Sequence, residues 1–281
     1  MTGRTDETAP RKWDANSAAA WHKWFHIIED GAQALSDRMV ELAAIGPGAR
    51  VLDVASGVGE PAVTAARRAG PDGQVLATDH SEEMLGHGRK RAEKLGLDNI
   101  EFRRMDAQAL EVPAAGFDAM LCRWGVMFLP DLDRALAGFR RCLKPGGRLV
   151  AAIWGPAERV PCVGLGARVV HAHLGLAPPD EGAGTPFAFS EVAAFERRVA
   201  AAGFENLRGA WFNVPYTFET AAQFTQYRRD LSRPLNERMA AFPAEAREAA
   251  WAALTEAARD FETPEGTVKF DNAAYCVSAR A

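Results

Sequence analysis

Two glycines and three carboxylates, in a fixed order, are the residues of this chain whose spacing points to chemistry. In VLDVASGVGEPA, residues 51–62, Gly57 and Gly59 let the backbone turn sharply and approach a ligand, because a side chain there would take the ligand's space. The same residues fit Gly-x-Gly-x-x-Ala, a variant of the dinucleotide fingerprint, and Asp79 stands 20 residues past Gly59, where it can accept from ribose hydroxyls. Both a dinucleotide and another nucleoside satisfy that pattern. Asp53, four residues before Gly57, tilts the choice, since a carboxylate there suits an ammonium group and sits poorly beside a pyrophosphate. The third carboxylate, Asp106, follows a further strand.

The elements that must position these residues alternate in type. Val51 to Val54 reads as a strand, and Pro61 opens a helix where its missing amide costs nothing. Gln74 to Thr78 is a second strand with Asp79 at its carboxyl end; Ser81 caps the next helix, Glu82 and Glu83 favour its positive end, and Gly96 closes it. Asn99 to Arg104, Phe117 to Cys122 and Arg148 to Trp154 are further strands, with a helix from Asp131 to Leu143 and a Lys144-Pro145-Gly146-Gly147 turn before the last. Such alternation predicts a doubly wound, mostly parallel α/β sheet. Two later runs, Asn206 to Phe218 and Thr267 to Ala279, bring the strands to seven, with a helical segment from Ala221 to Phe261 inserted between them.

Ahead of the sheet, Trp13, Trp21, Trp24, Phe25, Ile27, Ile28, Leu35, Met39, Leu42 and Ile45 recur at helical spacing, with Gly31 expected to break the helix in two. From Gly155 to Pro186 the pattern weakens and reads as a lid, after which Ser190 caps a helix that ends at Gly203. The expected organisation is a helical cap over 1–45 and a nucleoside-binding domain over 46–281, with lid insertions at about 156–189 and 219–262.

Composition narrows the function. The formal charge is −4 and the 33 basic residues are scattered, so no footprint for nucleic acid is expected. No run reaches the roughly 20 apolar residues of a membrane span, and Arg4, Asp6 and Glu7 in the first ten residues do not resemble a leader, so a cytoplasmic protein without a membrane partner is expected. Four separated cysteines, Cys122, Cys142, Cys162 and Cys276, suggest neither disulfides nor a zinc ribbon. His22 and His26 have the i, i+4 spacing of a metal pair, but no third ligand accompanies them, and no metal is expected. The oligomeric state is open, a homodimer being one option.

Five segments in order, VLDVASGVGEPA, ATDHSEEML, FRRMDAQALEVP, FDAMLCRWGVMFLPD and LKPGGRLVAAIWG, resemble the motifs of class I S-adenosylmethionine-dependent methyltransferases across residues 50–155. The wording is most similar to the branch of quinone-biosynthesis C-methyltransferases and small-molecule O- and N-methyltransferases. The resemblance implies a Rossmann-like fold and S-adenosyl-L-methionine as cofactor. It implies that Gly57 and Gly59, with Ala55 and Ser56, line the loop under the methionine and ribose, that Asp53 organises the loop and that Asp79 holds the ribose diol. His80 would flank the adenine, Met84 would pack on it, and Asp106, with Ala107 beside it, would accept from its amino group. The backbone at Cys122 and Arg123 would meet the methionine ammonium. The helix that carries Trp21, Trp24 and Phe25 could roof that end, with Trp24 as the expected contact. The chain departs from the family in Ser56, Val58 and the Glu60-Pro61 pair, none of which removes a needed backbone contact.

The expected activity is methyl transfer to a small, partly hydrophobic metabolite by in-line displacement, with O-, N- and C-methylation all open. Its pocket would be built from the cap, the stretch from Pro156 to Phe189 and the helices after Phe218. No catalytic motif stands out; His26 is the weak candidate for a base, ahead of His171 and His173, and Arg123 and Trp124 face the ligand crevice of such a sheet. The alternatives are a nicotinamide-dependent oxidoreductase on the same glycines and an S-adenosylmethionine-binding protein with a non-methylating or regulatory role.

Overall fold

The computed structural model describes residues 14–281. Trp13 and the early charges Arg4, Asp6 and Glu7 lie outside the described residues. The chain runs α1 (Ala15–Lys23), α2 (Phe25–Leu42), β1 (Arg50–Val54), α3 (Ala62–Ala69), β2 (Gln74–Asp79), α4 (Glu82–Lys94), β3 (Ile100–Arg104), β4 (Phe117–Arg123), α5 (Leu132–Cys142) and β5 (Leu143–Trp154). It continues α6 (Pro161–His173), α7 (Val192–Ala201), β6 (Glu205–Phe218), α8 (Ala221–Leu231), α9 (Arg233–Met239), α10 (Ala244–Ala258) and β7 (Val268–Arg280).

The strands form one mostly parallel seven-stranded sheet, ordered β3-β2-β1-β4-β5-β7-β6. β1 to β5 pair in parallel, β7 runs antiparallel to β5, and β6 antiparallel to β7, so β6 points the same way as β5. The carboxyl ends of β1, β2, β4, β5 and β6 therefore share one edge, and α8 to α10, which follow β6, start there. Chain order reverses between β1 and β4, the position where sheets of this kind open a ligand crevice. Central strands covered on both faces require unbroken apolar runs, and Val51, Leu52 and Val54 of β1 and Met120, Leu121 and Cys122 of β4 are all buried. On α5, Leu132, Ala135, Leu136 and Phe139 repeat at three and four residues and seal the sheet, each large side chain contributing about 1.5–3 kcal/mol.

Four expectations are corrected. The break in the first helical region falls at Trp24, with φ −98° and ψ 8°, and not at Gly31. Gly31 lies inside α2, where a β-carbon would strike the carbonyl of Pro215 and come within 2.6 Å of Tyr216. The glycine is there for close approach between helix and strand β6. With the break between them, His22 and His26 do not share a continuous helix face; His22 instead stacks on His87 of α4 at 4.2 Å.

The stretch expected to be weakly ordered contains α6. Pro161 occupies its first turn, where the lost amide is harmless, and the Oδ1 of Asn272 accepts from the Cys162 amide at 2.9 Å. Its glycines are again contact residues: a β-carbon on Gly166 would lie 2.9 Å from Nε of Arg228. The helix after it starts at Val192 with Glu191 as the cap, not with Ser190. The four cysteines are free and buried, and no helix among the described residues is long and apolar enough to cross a membrane.

Candidate functional site

Leaving β1, the chain turns in left-handed backbone at Ala55 (φ 57°), Gly57 (54°) and Gly59 (102°). Glycine adopts this region freely, whereas Ala55 is held there against its steric preference. The turn is tied down from β2: the Ser56 amide donates to the Thr78 carbonyl at 2.9 Å, and the Gly57 amide donates to Oδ2 of Asp79 at 2.9 Å. Oδ1 of Asp79 accepts from the Ser81 amide at 2.9 Å. An ionised carboxylate accepts about four hydrogen bonds, so Asp79 fixes the loop and keeps capacity for a ligand. Burial raises its pKa, against the pull of the Ser81 and Gly57 amides.

Asp53 is 0% exposed; the Ala62 amide faces its carboxylate and favours the ionised form, but no side chain pairs with either oxygen. Burial pushes its pKa well above the usual carboxylate range, opposed by the charge of Arg123 and reinforced by Glu60. Ser56 Oγ is likewise buried without a partner. Polar groups sealed from water are costly unless paired, so this end of β1 is built for a donor that arrives from outside the chain.

The end of β4 supplies the other wall. Arg123 is buried and donates from Nη2 to Glu29 Oε1 at 2.5 Å, and from Nη1 to Glu29 Oε2 at 3.0 Å and Ser36 Oγ at 2.8 Å. Trp124 follows with φ 59°, an outlier for a bulky residue and a sign of a constrained site. Its indole stacks on Trp154 at 4.1 Å, beneath which lies Tyr216, and its Nε1 is buried without a partner. The two turns meet: a β-carbon on Gly125 would lie 2.5 Å from that of Ala55. Burial pushes the Cys122 thiol up to about 12, so it packs rather than attacks.

The cap helices cover the glycine turn through residues other than the one expected. Trp21 and Phe25 pack against Val58 and Met84, whereas Trp24 packs edge-on to Tyr227 at 5.6 Å and donates its indole N–H to Asp230 at 2.8 Å. Arg91 stands over the Phe25 ring at 4.7 Å and holds the buried Glu60 at 2.7 Å, joining cap, loop and α4. Met84 faces Gly57, its methyl 3.3 Å from where a β-carbon would be.

His80 and Asp106 are exposed on the same rim, at the ends of β2 and β3; Asp106 accepts from the Gln108 amide at 2.8 Å, and Ala107 beside it is half-buried. Asp53, Ser56, Gly57, Gly59, Asp79 and Met84 thus converge, with Cys122 and Arg123 across the crevice and His80, Asp106 and Ala107 along the rim. Trp24 has its own partners, and His26 is exposed on α2.

Sequence reasoning missed Glu29 and the tie made by Glu60, and of the three cap aromatics it singled out Trp24, whereas Trp21 and Phe25 reach the turn. Glu29 and Ser36 are seven residues apart, on the face of α2 that also carries Ala32 and Met39, so a carboxylate inside an apolar stripe was the available signal. Taken together, the rim offers an unpaired carboxylate, a second carboxylate with free acceptor capacity 26 residues later, and small residues between them. It suits a nucleoside that also carries a positively charged amine.

Comparison with known proteins agrees with this geometry. Residues 51–147 match a family described as a methyltransferase domain. A ubiquinone/menaquinone biosynthesis C-methyltransferase of Bordetella parapertussis is 44% identical over 149 residues, which are 49% of this chain and 57% of that protein. The corresponding enzyme of Teredinibacter turnerae is 42% identical over 112 residues, 40% of this chain and 45% of that protein. The chain thus spans about half the length of the relatives it matches. Among solved structures, the YcgJ protein of Bacillus subtilis superposes with a TM-score of 0.57 at 19% identity, covering 87% of this chain and 97% of that one. The cyclase SpnF superposes with a TM-score of 0.55 at 22% identity, covering 89% and 81%. These structures share the fold, and the cyclase among them shows that the fold alone does not select a reaction.

Proposed function

We propose that this chain transfers the methyl group of S-adenosylmethionine to a small, partly hydrophobic metabolite, from the premise that residues 51–147, which match a methyltransferase domain, are a class I S-adenosylmethionine-dependent methyltransferase domain related to the quinone-biosynthesis branch. The observation that carries the reading is Asp53, a fully buried carboxylate with no side-chain partner at the carboxyl end of β1. The methionine ammonium is the donor it lacks, and a dinucleotide pyrophosphate at that position would meet a like charge.

When bound, S-adenosylmethionine supplies a methyl carbon on a sulfonium, already activated for in-line displacement. The chain's own residues bind and orient. Asp53 receives the ammonium, Asp79 uses its remaining lone pairs for the ribose diol, and Gly57 and Gly59 leave room for the backbone to lie against the ligand. Met84 packs on the purine beside His80, and Asp106 with Ala107 meets its amino edge. Because the Arg123 side chain is committed to Glu29 and Ser36, only its backbone and that of Cys122 face the methionine.

The reaction is assigned to alignment and exclusion of water rather than to a base, in keeping with the exposure of His26. In this reading the residues up to 45 act as a cap, and the segments 156–189 and 219–262 cover the acceptor.

Calorimetric titration with S-adenosylmethionine, S-adenosylhomocysteine and NAD tests the proposal. The adenosyl compounds are expected to bind and NAD not, with Asp79→Ala weakening binding by about tenfold or more, the scale of hydrogen bonds to a charged group. Preference for NAD, or no binding of either kind, overturns it.

A further inference from the structure

Among the described residues, Arg228 of α8 is a second buried arginine, 8% exposed, and it is unlike Arg123. Its Nε is sealed from solvent without a partner, and among the described residues no carboxylate pairs with its guanidinium. The acids nearby in sequence are already taken: Asp230 accepts from Lys23 and Trp24, and Glu248 holds Arg229 through both oxygens. The groups around the guanidinium are neutral. Burial pushes the Cys162 thiol up to about 12 and the Tyr227 phenol well above its usual range, even though Arg228 pulls both down. At Ser232, the residue that joins α8 to α9 and whose amide donates to the Arg228 carbonyl at 3.0 Å, Oγ is also buried and unpartnered.

This arrangement is built rather than incidental. Gly166 of α6 leaves the space that Arg228 occupies, since a β-carbon there would lie 2.9 Å from Nε. A guanidinium is a rigid fork of donors matched to planar or tetrahedral oxyanions. α8 begins where β6 ends, on the edge of the sheet that carries Asp53 and Asp79. Tyr227, beside Arg228, has its ring 5.6 Å from Trp24 of the cap and 5.1 Å from Phe218 at the end of β6.

We propose that Arg228, with Ser232, binds an oxyanion carried by the methyl acceptor, so that the acceptor is an acid: a carboxylate or a phosphoryl ester on an otherwise apolar body. The assignment rests on the proposed methyl transfer for the identity of the ligand, and on the unpaired charge for its sign.

The test is a thermal-unfolding titration of the whole protein with sodium acetate and with inorganic phosphate, each against chloride at equal ionic strength. One of the two anions is expected to raise the midpoint saturably, acetate indicating a carboxylate acceptor and phosphate a phosphoryl one. Arg228→Met is expected to raise the midpoint in chloride and to weaken the anion response by about tenfold or more. Gly166→Ala, which drives a methyl into the guanidinium's space and leaves its charge, provides the same readout should Arg228→Met not fold. Equal midpoints in acetate, phosphate and chloride overturn the assignment, as does an undiminished response in the variants. S-adenosylhomocysteine binding, measured on the same samples, is expected to be unchanged by both substitutions. Its absence from the unsubstituted protein would overturn the proposed function and leave the anion result standing.

Discussion

The rim at the end of β1 and the seam between α6 and α8 each bury an ionisable side chain with no ion-pair partner, one an acid and the other a base. At the rim it is Asp53, whose pKa burial raises; in the seam it is Arg228. Close to the rim the chain shows what it does when a buried charge is structural: Arg123 is given both oxygens of Glu29 and the hydroxyl of Ser36. Folding can therefore provide a partner in this interior, and Asp53 and Arg228 lack one because their partners come from solution. A cationic cofactor end and an anionic acceptor would then be held by charges that do not compete.

The sharpest way to break this comparison is to make the paired site resemble the unpaired ones. Glu29→Ala leaves Arg123 buried and alone, and removing one partner of a buried pair costs about 3–5 kcal/mol. Urea denaturation reads it directly. A loss of under about 1 kcal/mol would mean that this interior tolerates a lone guanidinium, and the argument from Arg228 would lose its force.

Asp53→Asn acts on the rim's own lone charge and should stabilise the ligand-free protein at neutral pH by about 1–3 kcal/mol, the scale of an unmet buried polar group. The sign follows from the raised pKa. The folded chain holds the Asp53 proton to higher pH than the unfolded chain does, so stability falls as pH rises from the unfolded value through the folded one. The advantage of Asn over Asp should shrink as pH is lowered through that window, and S-adenosylhomocysteine binding should weaken in the variant at every pH. A gain that does not vary with pH would show that the folded and unfolded chains hold the Asp53 proton alike, so that burial does not raise its pKa.

How far these regions could be read beforehand differs for a physical reason. The glycine turn, Asp79 and the alternation of strands and helices are written in contiguous residues, because a tight turn and a parallel sheet impose local requirements. Glu29 meets Arg123 across 94 positions, and nothing local to either residue announces the other. Gly31 was misleading in the same way: it reads as a helix breaker, yet it sits inside a helix because something else passes close by, as does Gly166 in α6. Trp21, Trp24 and Phe25 could not be told apart beforehand, because three aromatics in five residues look alike until the break at Trp24 turns them to different neighbours. Arg228 could not be recognised at all, since an arginine among Tyr227, Arg229 and Asp230 looks paired until the packing shows which acids are taken.

Gly31→Ala tests the contact on which the cap depends. A methyl forced against the Pro215 carbonyl and the Tyr216 ring should cost about 1–3 kcal/mol by overpacking. Gly138→Ala on α5, where nothing lies within 4 Å, should instead stabilise by about 0.5–1 kcal/mol through helix propensity. Opposite signs in thermal unfolding would place the cap's docking at Gly31; equal signs would remove it from there.

The smallest expected effect is the most direct test of whether rim and seam are separate. Tyr216 is the residue that links them, because Arg123 lowers its pKa while Tyr227, next to Arg228, raises it, and burial outweighs both. If the two lone charges serve two ligands, then Asp53→Asn and Arg228→Met combined should change stability by the sum of the single changes to within about 0.5 kcal/mol, as independent sites do. If Asp53 and Arg228 instead steady each other through the interior, removing either one strands the other. The double variant would then be more stable than the sum by more than that margin, because it strands neither. A coupling of that sign would join the two regions into one electrostatic unit and take away the need for an anionic acceptor; additivity keeps both ligands in the account.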